Sequence, residues 1–417
     1  MFRSVFDYPL NIKYYPEFDF SGDLSGVRAI TFDGMPFIVN GQPMKTKVFA
    51  YIGFPEKFTP TESGKMPGIV LVHGGGGHAF GGWVKMWNDR GYAAVAMDVT
   101  GDFPEKPGYG TVEGAPGSFV HGPHAVFAED GYTAAPANSG MTDCGTKPMS
   151  QHWMYHAIAD CILARRLLAA DERVDPDCIG ITGISWGGII TSLVIGHDSA
   201  LKFAIPVYGS GYLGEDCSLG LCALPFQDKD ARRFYLAEDR FAQVNTPVLW
   251  LCSNTDTFFS IMPNSLSYRD TKDGNALTRL SILSQFGHSH AFAWNRACIM
   301  DYADAVVYGN MDIPRIGDIT TDGENNIVCD YECDGESTAV LRYIKAAMTY
   351  STDSPYSWNG SICIDQEWHD APCTLENGKI KCSVPADAVG MYVELCGIVN
   401  GGDFAVCSQY VENRGEK

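Results

Sequence analysis

The feature that most constrains this chain is the hexapeptide Gly183–Gly188, which reads Gly-Ile-Ser-Trp-Gly-Gly. Residues 177–182 before it predict a short buried strand, and residues 189–195 after it predict the start of a helix. A Gly-x-Ser-x-Gly sequence between strand and helix forms a sharp turn, which strains the serine backbone and lifts the hydroxyl clear of the sheet. The pentapeptide also arises by chance in a chain with 45 glycines. Its context nevertheless predicts that Ser185 is a nucleophile.

Size and charge set the broad class of the protein. A chain of 417 residues exceeds what one hydrophobic core usually serves, so we expect two domains, or one large domain with an appendage. Acidic residues outnumber basic ones by 50 to 30, for a net charge of −20. This surplus argues against nucleic acid and anionic membranes as partners and favours a neutral or weakly charged small substrate. The oligomeric state is left open.

No targeting or membrane segment is evident in the sequence. No run approaches the roughly 18 uninterrupted apolar residues of a transmembrane helix. The first residues lack the apolar core of a signal peptide. We therefore expect a cytoplasmic protein, or a secreted one if a leader has been removed.

The 14 cysteines are scattered rather than grouped. Several lie within apolar segments, where a reduced cysteine behaves as a small hydrophobe: Cys161, Cys178, Cys252 and Cys298. The repeated two-residue spacing with histidine partners that marks a zinc site is missing. We expect no metal and no cofactor, and we leave open whether any cysteines pair.

A glycine run follows the first strongly apolar strand. Gly68–Val72 is continuously apolar, as expected of a strand buried on both faces, and His73 and four glycines follow it. Glycines at a strand end let backbone N–H groups face an anionic ligand. The Lys-Ser/Thr of a phosphate-binding loop is missing, so we predict an oxyanion hole. Its donors would be the backbone N–H groups of Gly75 and Trp186, with Gly76 as a further candidate.

The rest of the first 317 residues alternates between strands and helices. This rhythm predicts an α/β fold built on a mostly parallel sheet with helices on both faces. Residues 1–66 predict antiparallel edge strands, and the irregular stretch 99–150 predicts a long loop over the site. Residues 153–170 predict an amphipathic helix whose apolar stripe excludes Asp160, Arg165 and Arg166.

An aspartate and two histidines complete the candidate site. The strand predicted at 247–252 leads to Asp256, and the strand predicted at 278–286 leads to His288 and His290. With Ser185, they follow in the order nucleophile, acid, histidine, each after the carboxyl end of its own strand. Parallel strands bring such positions to one rim of a sheet. This order is the one that α/β-hydrolases show.

These segments resemble α/β-hydrolases of the acetyl xylan esterase and dienelactone hydrolase-like group of carbohydrate-degrading bacteria. The resemblance lies in residues 71–80, 94–98, 180–188 and 287–290. It implies a doubly wound, mostly parallel sheet and a serine esterase that deacetylates a carbohydrate through an acyl-enzyme. It also implies Ser185 as nucleophile and Asp256 as acid.

The resemblance implies two different choices of base. Cephalosporin- and xylan-deacetylating esterases carry a Phe-Gly-His loop, which favours His288. Glucuronoyl esterases carry Gly-His-Ser-His with the second histidine catalytic, which favours His290. We prefer His288 and retain His290 as the alternative.

The C-terminal quarter of the chain has a different character. Residues 318–336 are rich in acids and turn formers and predict a linker after a catalytic domain of residues 1–317. Short alternating runs in 337–417 predict a small β-sandwich-like accessory domain, which related esterases also carry. Its Trp358 and Trp368 are candidates for stacking on sugar rings, although core packing is the commoner role.

Two alternative functions remain open at this stage. A prolyl oligopeptidase-like peptidase would use the same residues, but the chain shows no propeller repeat of about 40 to 50 residues. A catalytically silent carbohydrate-binding protein would keep the fold without activity. For an esterase, the candidate substrate-binding residues are His73, Trp83, Asp98, Trp153 and Tyr208.

Overall fold

The computed structural model describes residues 2–110, 119–123, 125–284, 286–309, 311–322, 326–357 and 360–412. The chain forms two compact units. The first unit contains residues 1–209 and 228–235, and the second contains residues 210–227 and 236–417. These bounds differ from the predicted boundary at residue 317.

The first unit has a mixed sheet with helices packed against it. Its described strands are β1 (Lys13–Tyr14), β2 (Arg28–Val39), β3 (Gln42–Gly53), β4 (Met66–Val72), β5 (Ala93–Met97), β6 (Asp102–Pro104), β7 (Phe119–His121), β8 (Tyr132–Ala134), β9 (Val174–Ile184) and β10 (Ala204–Val207). Its described α-helices are α1 (Gly81–Arg90), α2 (Trp153–Ala169), α3 (Trp186–Val194) and α4 (Lys229–Phe234). Short 3₁₀ turns cover Arg3–Val5, Pro16–Phe18, Gly22–Leu24 and Met149–Gln151.

The strands of this sheet follow the order β1-β2-β3-β5-β4-β9-β10. The last four, β5, β4, β9 and β10, run parallel, while the pairs β1–β2, β2–β3 and β3–β5 are antiparallel. Every residue of β4 and β5 is buried, as their unbroken apolar runs predict. β2 and β3 are antiparallel as predicted, but each has a neighbour on both sides, so neither is an edge strand.

Helix α2 is more deeply buried than its sequence predicts. Asp160 is fully buried and Arg165 is only 8% exposed, although both were expected off the apolar stripe. Arg165 Nε donates a hydrogen bond to Asp198 Oδ2 at 2.5 Å, which satisfies its charge inside the protein. The prediction of a one-sided amphipathic helix is wrong because side chains surround α2 on nearly all sides.

The long stretch 99–150 is tied to the sheet in its described part. β8 pairs in parallel with β3, and β6 pairs with β7. Glu129 lies 3.4 Å from the buried Lys47 of β3, which also contacts Asp33 at 2.9 Å. These contacts anchor the loop at residues 129–134. That it covers the site stays a prediction.

The second unit joins α/β elements to an antiparallel sheet. Its described strands are β11 (Leu249–Ser253), β12 (Arg279–Leu283), β13 (Arg315–Ile316), β14 (Thr320–Thr321), β15 (Asn326–Glu332), β16 (Thr338–Ile344), β17 (Thr349–Ser351), β18 (Cys363–Asp365), β19 (His369–Glu376), β20 (Lys379–Ser383), β21 (Gly390–Val399), β22 (Gly402–Cys407) and β23 (Val411–Glu412). Its described helices are α5 (Ile261–Thr271), α6 (His290–Trp294) and α7 (Ala297–Tyr308), with 3₁₀ turns at Leu221–Gln227 and Glu238–Gln243.

β11 and β12 are parallel, and the C-terminal strands form an antiparallel sheet in the order β13-β15-β20-β19-β16-β21-β22. Ser281 Oγ in β12 donates to Ala405 O of β22 at 2.8 Å. Ile282 N donates to the Cys407 sulfur at 3.4 Å. Because β12 is bonded to β22, it groups with the C-terminal strands. The α/β class with a β-rich C-terminal region is confirmed.

The range predicted as a linker contains strand structure. β14 and β15 lie within 318–336, and β15 buries Ile327 and Cys329 against β20, its neighbour in the sheet. Cys373 and Cys382 form a disulfide between β19 and β20, while the four cysteines predicted in apolar segments are free thiols and all are buried. Trp358 lies outside the described residues. Across the described residues, none of the helices has the length and apolar character needed to cross a bilayer.

Candidate active site

Ser185 occupies a strained turn between β9 and α3. Its backbone angles are φ 58° and ψ −117°, a region that residues with side chains rarely adopt. Its N–H donates to Val207 O of β10 at 2.9 Å, which fixes the turn to the neighbouring strand. The side chain is 8% exposed. The predicted strand, turn and helix are present at this position.

The glycines around Ser185 are required by close backbone approach. A Cβ added to Gly183 would lie 2.1 Å from Gly187 O, and one added to Gly187 would lie 2.1 Å from Val72 O. Such contacts are with rigid backbone, so no side-chain movement relieves them. The motif therefore lets α3 start directly against β4 and β9.

The glycine run after β4 lies against the residue that follows Ser185. A Cβ added to Gly75 would lie 2.9 Å from Cδ1 of Trp186. Gly76 has φ +70°, and Gly77 N donates to Gly74 O at 3.0 Å, which closes the turn. Trp186 is the first residue of α3, and N–H groups of a first helical turn point out of the helix. Both predicted donor segments thus meet in the first unit.

His73 and Asp98 fix the backbone beside this turn. His73 Nδ1 lies 2.8 Å from Gly74 O, and Val99 N donates to His73 Nε2 at 3.1 Å. Because Nε2 accepts, Nδ1 carries the proton and the ring is neutral in this arrangement. The 3.5 Å approach of Nε2 to Asp98 is then no ion pair. Asp98 Oδ1 instead accepts from the Thr100 and Asp102 N–H groups at 2.8 Å.

The three aromatic residues predicted to bind substrate are also buried. Trp83, Trp153 and Tyr208 are 2%, 0% and 0% exposed. The Trp153 Nε1 donates to Val99 O at 2.7 Å, and its ring lies 5.2 Å from that of Trp186, edge to face. Trp153 thus lies against the indole of Trp186. Direct substrate contact by these residues stays a prediction.

In the second unit, Asp256 holds His288. Asp256 is 3% exposed, and its Oδ2 lies 2.9 Å from His288 Nδ1. Its Oδ1 accepts the N–H groups of Phe258 at 2.6 Å and Phe259 at 3.1 Å. A carboxylate only accepts, so Nδ1 is the protonated nitrogen and Nε2 is the basic one.

His290 has different surroundings. It is the first residue of α6, where Ser289 Oγ caps the helix by accepting from Phe292 N at 3.2 Å. Its ring lies 6.4 Å from that of Trp294. The His288 ring lies instead against Phe258, with ring centres 4.5 Å apart. Of the two candidate bases, His288 is the one bonded to Asp256.

Sequence reasoning missed two buried groups in α2. Neither carboxylate oxygen of Asp160 has a hydrogen-bond partner among the described residues, and burial, with a smaller effect of Asp98, raises its pKa well above the usual value. Burial lowers the pKa of His156 to about 4, and its Nε2 lies 3.0 Å from Ser150 O. With a pKa of about 4, His156 is neutral at pH 7, and burial shifts the Asp160 carboxyl towards its protonated form. In the sequence, the one possible signal for them is a polar residue within a helix that is otherwise largely apolar.

Asn254 was also missed, although it lies two residues before Asp256. Its backbone N–H donates to Leu283 O at 3.2 Å, and its Nδ2 donates to Ser284 Oγ at 3.2 Å. It thereby ties the end of β11 to the end of β12. The only sequence signal is its place in the Ser-Asn-Thr-Asp turn after a buried strand. Within the described residues, no three His, Cys, Asp or Glu side chains are grouped to hold a metal ion.

Comparisons with known proteins place the chain in a family. Residues 57–309 match the model of the dienelactone hydrolase family. Solved structures with a similar fold include the acetyl xylan esterase from Paenibacillus sp. R4, with 16% identity, a TM-score of 0.48, and coverage of 73% of this chain and 91% of that one. No curated protein sequence matches this chain.

Two further structures have comparable scores. Acetyl xylan esterase 1 from Thermoanaerobacterium sp. JW/SL YS485 has 14% identity and a TM-score of 0.45, covering 73% of this chain and 92% of that one. The acylaminoacyl peptidase of Pyrococcus horikoshii has 17% identity and a TM-score of 0.46, covering 68% of this chain and 42% of that one. The family match covers more than half of the sequence, and the turn at Ser185 lies inside it. The chain therefore belongs to the dienelactone hydrolase family of the α/β-hydrolase superfamily, and it is a serine hydrolase.

Proposed function

We propose that this protein is a serine esterase that removes a short acyl group, acetyl above all, from a carbohydrate. The observation that carries the proposal is the hydrogen bond between His288 Nδ1 and Asp256 Oδ2. It leaves Nε2 of His288 as a base of fixed tautomer, as a serine nucleophile requires. The carbohydrate as substrate rests on the sequence resemblance, and the net charge of −20 favours a neutral alcohol of this kind.

In the proposed first half-reaction, Ser185 Oγ attacks the ester carbonyl carbon while His288 Nε2 takes the hydroxyl proton. Asp256 stabilises the imidazolium without taking a proton. The tetrahedral intermediate collapses, the C–O bond to the alcohol breaks, and His288 returns the proton to the departing alcohol. In the second half-reaction, water attacks the acyl-enzyme by the same proton transfers and releases the acid.

The charge that develops on the carbonyl oxygen needs donors fixed before reaction. We assign this role to the backbone N–H groups of Gly75 and Trp186. The support is that Gly75 lies against the Trp186 side chain and that Trp186 begins a helix. Preorganised donors of this kind are worth about 3 kcal/mol each in related chemistry.

The test is the Ser185→Ala variant with p-nitrophenyl acetate and acetylated xylo-oligosaccharides. We expect kcat to fall by roughly 10⁴-fold or more while thermal unfolding is unchanged. Ser192→Ala is the matched control, because Ser192 lies in α3, the helix that follows Ser185, and its Oγ donates to Gly188 O at 2.9 Å. Parental turnover by Ser185→Ala would contradict the mechanism.

Two further assays separate the alternatives. A fluorophosphonate probe is expected to label the parent at Ser185 and not Ser185→Ala, whereas a silent carbohydrate-binding protein would take no label. Fluorogenic dipeptide amides are expected to be poor substrates. Turnover of these amides above that of the acetyl esters would identify a peptidase instead.

A further inference from the structure

We propose that Trp368, which directly precedes β19, and Tyr392 of β21 are positioning residues that hold the loop of Asp256 through Asn254. The inference rests on the proposed function, because it takes Asp256 to be the acid that orients the base. It assigns to the C-terminal sheet a part in catalysis that is distinct from sugar binding.

Both contacts are direct hydrogen bonds, one with the residue before β19 and one with a residue of β21. Trp368 Nε1 donates to Asn254 O at 2.7 Å. Asn254 Nδ2 donates to Tyr392 Oη at 3.0 Å. The backbone and the side chain of Asn254 are thus each held by a different aromatic residue.

The bond between Asn254 and Tyr392 is buried, while that from Trp368 is partly buried. Asn254 is 5% exposed and Tyr392 is fully buried. Burial raises the pKa of the Tyr392 phenol well above its usual value, so its hydroxyl stays neutral. Hydrogen bonds buried in this way are costly to leave unmade, which makes the geometry of Asn254 well defined.

Asn254 contacts the two segments that carry the proposed acid and the proposed base. Through Leu283 O and Ser284 Oγ, it joins the end of β11 to the end of β12. Asp256 follows β11 by three residues, and His288 follows β12 by five. A shift of Asn254 would therefore change the separation of the two segments whose side chains meet at 2.9 Å.

The position of the Trp368 ring favours this role over stacking on a sugar. The ring centre lies 5.2 Å from that of Tyr392 and 6.1 Å from that of Tyr410. Trp368 is partly buried, its ring contacts both tyrosines and its N–H is bonded to Asn254, so we assign it to supporting the loop. Supporting contacts of this kind set how closely reacting groups are held.

The experiment uses Tyr392→Phe and Trp368→Phe in the full chain, which remove the hydrogen-bonding groups and keep aromatic rings. We expect kcat for p-nitrophenyl acetate to fall about tenfold with KM nearly unchanged, because substrate contacts are untouched. Rates are divided by the fraction of protein that a fluorophosphonate labels. Tyr343→Phe is the matched control, since Tyr343 lies in β16, beside β21, with its ring 5.4 Å from His369.

A double-mutant cycle distinguishes positioning from general stability. If Tyr392 acts through Asn254, Tyr392→Phe lowers kcat in the parent but adds little in an Asn254→Ala background. Additive effects, or parental kcat in both aromatic variants, would overturn the inference. If Trp368→Phe does not fold, the Tyr392→Phe cycle decides alone. Activity that survives Ser185→Ala would instead refute the proposed function, so the two failures are distinguishable.

Discussion

Asp256 and His288 are joined by a hydrogen bond of 2.9 Å between Oδ2 and Nδ1, while the other oxygen of Asp256 accepts two backbone N–H groups. We predict that Asp256→Asn preserves this turn but lowers kcat by about 10³ to 10⁴-fold, because the amide no longer enforces the tautomer with a basic Nε2. Steady-state kinetics with p-nitrophenyl acetate measure the loss. Asp301→Asn is the control, since Asp301 Oδ1 accepts from Asn400 Nδ2 and an amide oxygen can do the same. Equal losses in both variants would point to instability.

The two histidines after β12 are predicted to differ sharply. His288→Ala removes the proposed base, so kcat/KM is expected to fall by roughly 10³-fold or more. His290→Ala removes a residue at the start of α6 and is expected to leave kcat within about threefold of the parent. The rate of fluorophosphonate labelling of Ser185 gives the same comparison without a substrate. The opposite ranking would make His290 the base.

Gly75 tests the proposed oxyanion hole. In Gly75→Ala, the new Cβ would lie 2.9 Å from Trp186 Cδ1, so the turn or the indole must move. We expect kcat to fall about 10²-fold with little change in thermal unfolding, because donors aimed at the developing charge are displaced. Gly402→Ala is the control, since its backbone is not left-handed and the nearest atom to a new Cβ would be Val399 O at 3.7 Å. A Gly75→Ala enzyme with parental kcat would remove this segment from the mechanism.

His156 makes stability depend on pH. Burial lowers its pKa from 6.5 to about 4, against weaker opposing effects of Ser150 O and Asp143. Below pH 6.5 the unfolded chain takes up a proton that the folded protein does not, so stability is full above pH 6.5 and falls as the pH drops towards 4. The decrease in the free energy of unfolding that comes from this residue is about 3 kcal/mol at most. Urea unfolding of the parent and of His156→Gln at pH 7.5 and 4.5 measures it.

In that experiment His156→Gln keeps an N–H donor for Ser150 O but does not titrate. The parent should therefore lose more stability than the variant between the two pH values. Carboxylates that titrate in the same window affect both proteins alike, so they cancel in the difference. If stability depended on pH equally in the two proteins, His156 would take up its proton in the folded protein as readily as in the unfolded chain.

Local sequence was enough for the central part of the fold. Continuous apolar runs predicted the buried strands β4 and β5, and the glycines around Ser185 predicted the turn, because both depend on neighbours within a few residues. The family is confirmed by the match over residues 57–309. The roles of individual residues stay predictions.

What sequence could not supply are relationships across long separations. The choice between His288 and His290 depends on which ring reaches a carboxylate 32 residues away. The contact of Trp368 with Asn254 spans 114 residues, and no local periodicity encodes it. Asp160 was expected outside the apolar stripe because α2 was considered alone, without the strands that surround it.

The hydrogen bonds between β12 and β22 limit where segments of such proteins can be recombined, in evolution or by engineering. The segment that supplies Asp256 and His288 belongs to the same compact unit as the C-terminal strands. A chimaera cut near residue 317 would separate β12 from β22, whereas one cut near residue 236 would keep these two strands together. Replacing this sheet with another therefore requires that the proposed acid and base be replaced along with it.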